Sequence, residues 1–177
     1  MMPITRRHLM SGLLSTGASL TGFRTAATPL GIPTILRVTS RHLDILGKPA
    51  KVYGIMQPSG AHGLAAVKGD EFQVRLENGI DEPTLVHWHG MTPGWRQDGV
   101  PGISQDVLAP NAIHDYRFPL TRSGTHWMHS HHELQEQRLL AAPLIVRDAD
   151  DTSRDEQEVV VVLHDFTFRD PSEVLSE

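Results

Sequence analysis

Gly69-Asp70-Glu71-Phe72-Gln73-Val74-Arg75-Leu76-Glu77-Asn78 is the stretch that decides the fold class. After the Gly-Asp turn signal, Phe72, Val74 and Leu76 fall on one side of an extended chain, with charged and polar side chains on the other. Side chains two residues apart share a strand face, so this alternation describes a strand with one face in a core and one in water. Shorter β-type runs lie on either side. Thr34 to Thr39 and Lys51 to Ile55 precede it, separated from it by turn residues such as Gln57-Pro58-Ser59-Gly60. Thr84 to His89, Ile113 to Phe118, Thr125 to His131, Pro143 to Arg147 and Val159 to Leu163 follow. In Ile113 to Phe118, Ile113, Asp115 and Arg117 oppose His114, Tyr116 and Phe118. Many short strands punctuated by Gly, Pro and Asn predict an all-β, antiparallel sandwich or barrel. Only Glu133 to Ala142 reads as a helical turn or two.

Composition narrows the function. The 177 residues, 39% of them hydrophobic, suit one full-sized domain. A formal charge of −5 without a basic stripe argues against nucleic acid as a partner, and no run is long and apolar enough to span a bilayer. Cysteine is absent, so a disulfide, a thiolate zinc site, an iron–sulfur cluster or the thiolate of a blue-copper centre cannot come from this chain. At the N-terminus, Thr5-Arg6-Arg7-His8-Leu9-Met10 has a twin-arginine form. A short apolar stretch to Gly22 and a small-residue site at Thr25-Ala26-Ala27 follow it. Residues 1–27 therefore read as an export signal, which predicts a periplasmic or secreted protein. An ordinary basic N-terminal helix is the other reading.

Seven of the 11 histidines lie between residues 87 and 132. They include two i, i+2 pairs, His87-Trp88-His89-Gly90 and Trp127-Met128-His129-Ser130-His131. On a strand, each pair puts two imidazoles on one face about 6.5–7 Å apart. That spacing suits service to adjacent metal ions or convergence on one cluster. Trp127 shares the face of His129 and His131, while His126, Met128 and His132 alternate to the other, where core or solvent roles are expected. His114 and His164 sit in strand-like runs, and His42 and His62 carry no motif.

The surroundings of the pairs extend the pattern. Asp98-Gly99-Val100-Pro101-Gly102 follows the first, and Ser123-Gly124-Thr125 leads into the second. Leu134-Gln135-Glu136-Gln137 and Pro143-Leu144-Ile145-Val146 come after it. In these residues the chain resembles the N-terminal, cupredoxin-like (plastocyanin-like) domain of the laccase-like multicopper oxidases. The resemblance runs from about Thr34 to Asp170 and is strongest from Thr84 to Val146.

The resemblance implies a Greek-key β-sandwich of cupredoxin type and a set of roles. His87 would be a ligand of a type 2 copper, and His89, His129 and His131 ligands of a type 3 pair. Asp98 would assist proton delivery as dioxygen is reduced, although Asp-Gly is equally a common turn pair. The family's trinuclear cluster takes eight histidines from four such pairs, so this chain would supply half. The rest, with the cysteine-ligated type 1 copper where electrons enter, would come from a missing C-terminal cupredoxin domain or a second subunit.

The expected organisation is a signal at 1–27, a copper-binding domain at 28–150, and a linker with the start of a second such domain at 151–177. The acidic run Asp148 to Glu156 reads as that linker. A secreted single-domain copper-binding or buffering protein is the alternative. A cupredoxin-fold interaction module without copper chemistry is disfavoured by the presence of all four expected ligands.

Overall fold

The computed structural model describes residues 31–177. The expected signal, and His8 with it, lie outside them. The described residues form eight strands: β1 (Thr34–Ile45), β2 (Lys48–Met56), β3 (Leu64–Val67), β4 (Glu71–Asn78), β5 (Val86–His89), β6 (Ile113–Pro119), β7 (Gly124–Ser130) and β8 (Ala141–Arg147). They form two four-stranded sheets, ordered β2-β1-β4-β6 and β3-β8-β7-β5. Two short helices follow, α1 (Ala149–Ser153) and α2 (Pro171–Leu175).

The alternation in β4 has the expected outcome: Phe72, Val74 and Leu76 are buried and face the other sheet across a common core. Phe72 stacks on Phe118 at 4.5 Å between ring centroids. It also meets Trp88 of the second sheet edge-on at 4.8 Å, and Trp88 in turn meets Tyr116 at 4.8 Å. Each such buried side chain contributes roughly 1.5–3 kcal/mol. The outer face of the first sheet carries the ion pairs Arg37–Glu77, Arg75–Asp115 and Arg117–Glu71. These are solvent-exposed and contribute little, so the core holds the sandwich together.

The structure departs from the sequence reading in four places. Two strand pairs, β1–β4 and β3–β8, are parallel, because the chain repeatedly crosses between sheets instead of folding back beside itself. Within Glu133 to Ala142 only a 3₁₀ turn forms, at Glu136–Arg138, and β8 already begins at Ala141. The acidic run is not uniformly irregular, since Asp148 caps α1 through a reciprocal capping box with Asp151. Val159 to Leu163, read as strand-like, forms no strand among the described residues. Val159 and Val161 are each 71% exposed and Leu163 is 90% exposed. An apolar run becomes a strand only beside a sheet edge that completes its backbone hydrogen bonds, and no ladder reaches it. Phe166, further on, does pack, against the small cluster of Ala50, Val52 and Leu139.

Candidate metal centre

The site is built on β5 and β7, whose antiparallel register sets His87 opposite His129 and His89 opposite Trp127. Val86, Trp88, Met128 and Ser130 turn inward and are buried. The intervening His87, His89, Trp127 and His129 therefore occupy the outer face of the same strands. His131 lies one residue past β7, held by its backbone N–H donating to the Leu85 carbonyl at 3.0 Å.

All four sequence-predicted ligands come together. The ligand atoms of His87, His89 and His129 lie within 4.8 Å of one another. The His131 ring borders this trio, 4.5 Å from His87 and 4.9 Å from His129 between centroids. His89 Nδ1 and His129 Nε2 point at each other across 3.3 Å. Two nitrogens each about 2.0 Å from one metal ion, at a tetrahedral angle, sit roughly 3.3 Å apart, so this pair fits a shared ion. The cluster is open on one side: His89 and His131 are exposed, whereas His87 and His129 are largely covered.

A backbone partner fixes which nitrogen the His87 ring presents. His87 Nδ1 donates to the Asp98 carbonyl oxygen at 2.8 Å, leaving Nε2 as the lone pair. The Asp98 carboxylate lies close as well, with Oδ1 3.3 Å from the same Nδ1. This approach requires Gly99. Its φ is +71°, and a Cβ there would fall 1.8 Å from the Val86 carbonyl oxygen. The Asp98-Gly99 turn is thus pressed against the backbone of β5. His129 Nδ1 lies 2.9 Å from Glu136 Oε2, off the axis of an aligned hydrogen bond. Trp127 stacks on His129 at 4.0 Å with 12° between planes. Burial pushes His129 and His131 below the ordinary imidazole value, which favours the neutral form that binds metal.

The remaining candidates take other places. Met128 is fully buried in the core. His126 sits against Gly90, where an added Cβ would fall 2.6 Å from its Nδ1. His132 is 3.8 Å from Glu133, and His114 packs beside Tyr116 at 4.6 Å. His62 Nε2 lies 2.9 Å from the Ala141 carbonyl oxygen, outside the cluster. Sequence reasoning assigned no role to Gln135 or Glu136. Gln135 is 1% exposed. Its Oε1 accepts from Thr84 Oγ1 at 2.7 Å and Ser130 Oγ at 2.8 Å, and its Nε2 donates to the Pro83 carbonyl at 2.8 Å. That amide ties the end of β7 to the chain entering β5. No periodicity marks either residue.

A family model described as multicopper oxidase matches residues 37–151. The chain belongs to the multicopper oxidase family. It is 40% identical over 112 residues to a copper resistance protein A homolog of Pseudomonas syringae pv. tomato, a match covering 62% of this chain and 19% of that protein. With multicopper oxidase MmcO of Mycobacterium tuberculosis it shares 33% identity over 104 residues, 59% of this chain and 20% of the other. Among solved structures, a multicopper oxidase from Pseudomonas thermotolerans superposes with a TM-score of 0.62 at 30% identity, covering 68% of this chain and 30% of that one. The two sheets are thus a cupredoxin-like Greek-key sandwich, and copper is the metal the family implies for the histidine cluster. The matched segment spans about a fifth of the length of these curated relatives.

Proposed function

We propose that this chain is the N-terminal copper-binding part of a multicopper oxidase and supplies half of a trinuclear cluster. His87 serves the type 2 position, and His89, His129 and His131 serve the type 3 pair. The carrying observation is the convergence of His87, His89 and His129, ligand atoms within 4.8 Å, on an outer sheet face left open on one side. Copper held by these histidines would supply electron transfer from a reducing substrate to dioxygen, with water as the product. That reduction consumes protons, and in this reading Asp98 carries them in from solvent, supported by its one-third exposure and its Oδ1 3.3 Å from His87 Nδ1. The chain has no cysteine, so the thiolate-ligated copper where electrons enter belongs to a C-terminal cupredoxin domain or a second subunit. Residues 1–27 direct export by a twin-arginine-type route to the periplasm or beyond, and residues 151–177 lead into the next domain.

Copper titration of the purified chain tests this reading. Binding should be weak and should fall further in both His87→Ala and His129→Ala, with no oxidation of phenols. Copper spectra unchanged in both variants would refute the ligand assignment. Phenol oxidation with oxygen uptake by the isolated chain would refute the half-site.

A further inference from the structure

We propose that Glu136 is a positioning residue for the metal ligand His129, setting which ring nitrogen faces the cluster. This inference rests on the ligand reading above and extends it to a residue that holds no metal. Glu136 Oε2 lies 2.9 Å from His129 Nδ1, on the side of the ring away from the Nε2 that points to His89. A carboxylate accepts only from a protonated nitrogen, so its presence selects the tautomer with hydrogen on Nδ1 and the lone pair on Nε2. That lone pair is the one aimed at the shared-ion position. The His129 ring has little freedom otherwise to choose: it is 6% exposed and clamped flat against Trp127.

The turn bearing Glu136 is anchored at both ends. Gln135 locks it to Thr84 and Ser130 from inside, while Arg138 pairs with Glu82 at 3.3 Å and with Asp170 at 3.4 Å outside. These anchors hold the Glu136 backbone in place beside the His129 ring, with its side chain 38% exposed. Among the described residues no carboxylate pairs with His89, whose Nδ1 lies 3.3 Å from His129 Nε2. The carboxylate thus makes His129 present Nε2 where His89 presents Nδ1.

Two readouts on the full chain test the role. Imidazole ¹⁵N NMR reports the His129 tautomer without copper, and competition with a chromophoric chelator reports copper affinity. Glu136→Ala should turn the single Nδ1–H tautomer into a mixture and weaken copper binding roughly 10–100-fold. Glu136→Gln, whose amide oxygen accepts the same N–H, should restore most of both. Glu136→Met lacks the acceptor at similar bulk and gives the same reading if the alanine variant does not fold. The proposal fails if the acceptor-free variant keeps the wild-type tautomer and affinity, or if Glu136→Gln falls as far as it does. Either failure leaves the ligand reading intact so long as His129→Ala still lowers copper binding.

Discussion

His87 and His129 are direct partners across the β5–β7 ladder, and each turns its Nδ1 away from the other, His87 to the Asp98 carbonyl and His129 to Glu136. One is steered by backbone and the other by a side chain. Substitutions at the two supports should therefore behave differently.

Gly99→Ala removes the backbone support. The residue combines a positive φ with a Cβ position 1.8 Å from the Val86 carbonyl oxygen, so Ala must move either the turn or β5. Left-handed backbone alone costs roughly 1–2 kcal/mol and the collision adds to it, giving about 3 kcal/mol or more. Calorimetry should show the midpoint falling by about 6–12 °C, with copper affinity reduced as well. Asp98→Ala, by contrast, keeps the carbonyl that holds His87 and should bind copper almost as the parent does.

Gln135→Leu fills similar volume but leaves the buried Thr84 hydroxyl without its acceptor, while Ser130 Oγ keeps the His132 N–H as a partner. An unsatisfied buried group costs about 1–3 kcal/mol. Urea unfolding should show a loss of about 1–3 kcal/mol, and a loss below about 1 kcal/mol would mean the amide is replaceable.

Met128→Leu separates packing from ligation. Met128 lies wholly in the core, and a volume-conserving swap there usually costs less than about 1.5 kcal/mol. Copper affinity and spectrum should not change. A lost copper signal would make Met128 a ligand.

Acidification should destabilise the fold in two stages. Burial holds His62 and His114 below the ordinary imidazole value, with Arg41 and His164 adding to the effect at His62. The unfolded chain therefore takes up protons first, and stability drops as pH falls below about 6.5 through the depressed folded values. Asp115, held low by Arg75, and Asp148 and Asp170, held low by hydrogen bonds at their helix starts, lose their contribution only below about pH 4. Urea midpoints of the parent and of a His62→Gln, His114→Gln variant between pH 7.5 and 5 should converge as the pH falls. A parallel decline would remove these two histidines from the account.

The strands with clean alternation, β4 and β6, could be read from sequence because each has one wet and one dry face. The grouping of the proposed ligands was legible for a related reason, since i, i+2 histidines on a strand must share a face. The β1–β2 hairpin was hidden by its turn. Leu46 and Gly47 both have positive φ, and leucine in the first position carries none of the usual signal for such a turn. Leu64-Ala65-Ala66-Val67 was passed over because two alanines give little strand preference, and its parallel partner β8 lies about 80 residues away. Glu136 was illegible because its role depends on where one 3₁₀ turn lands relative to His129, and sequence spacing does not encode that.

The shared register of β5 and β7 has one further consequence. A slip of one residue between them would break the opposition of His87 and His129. Turning either strand over would push Trp88 or Met128 into water and bury imidazoles in the core. In the proposed reading, metal capture and correct assembly depend on the same alignment. Copper uptake by a preparation of this chain would count its correctly folded molecules, which makes the metal a conformational assay for the strands that hold it.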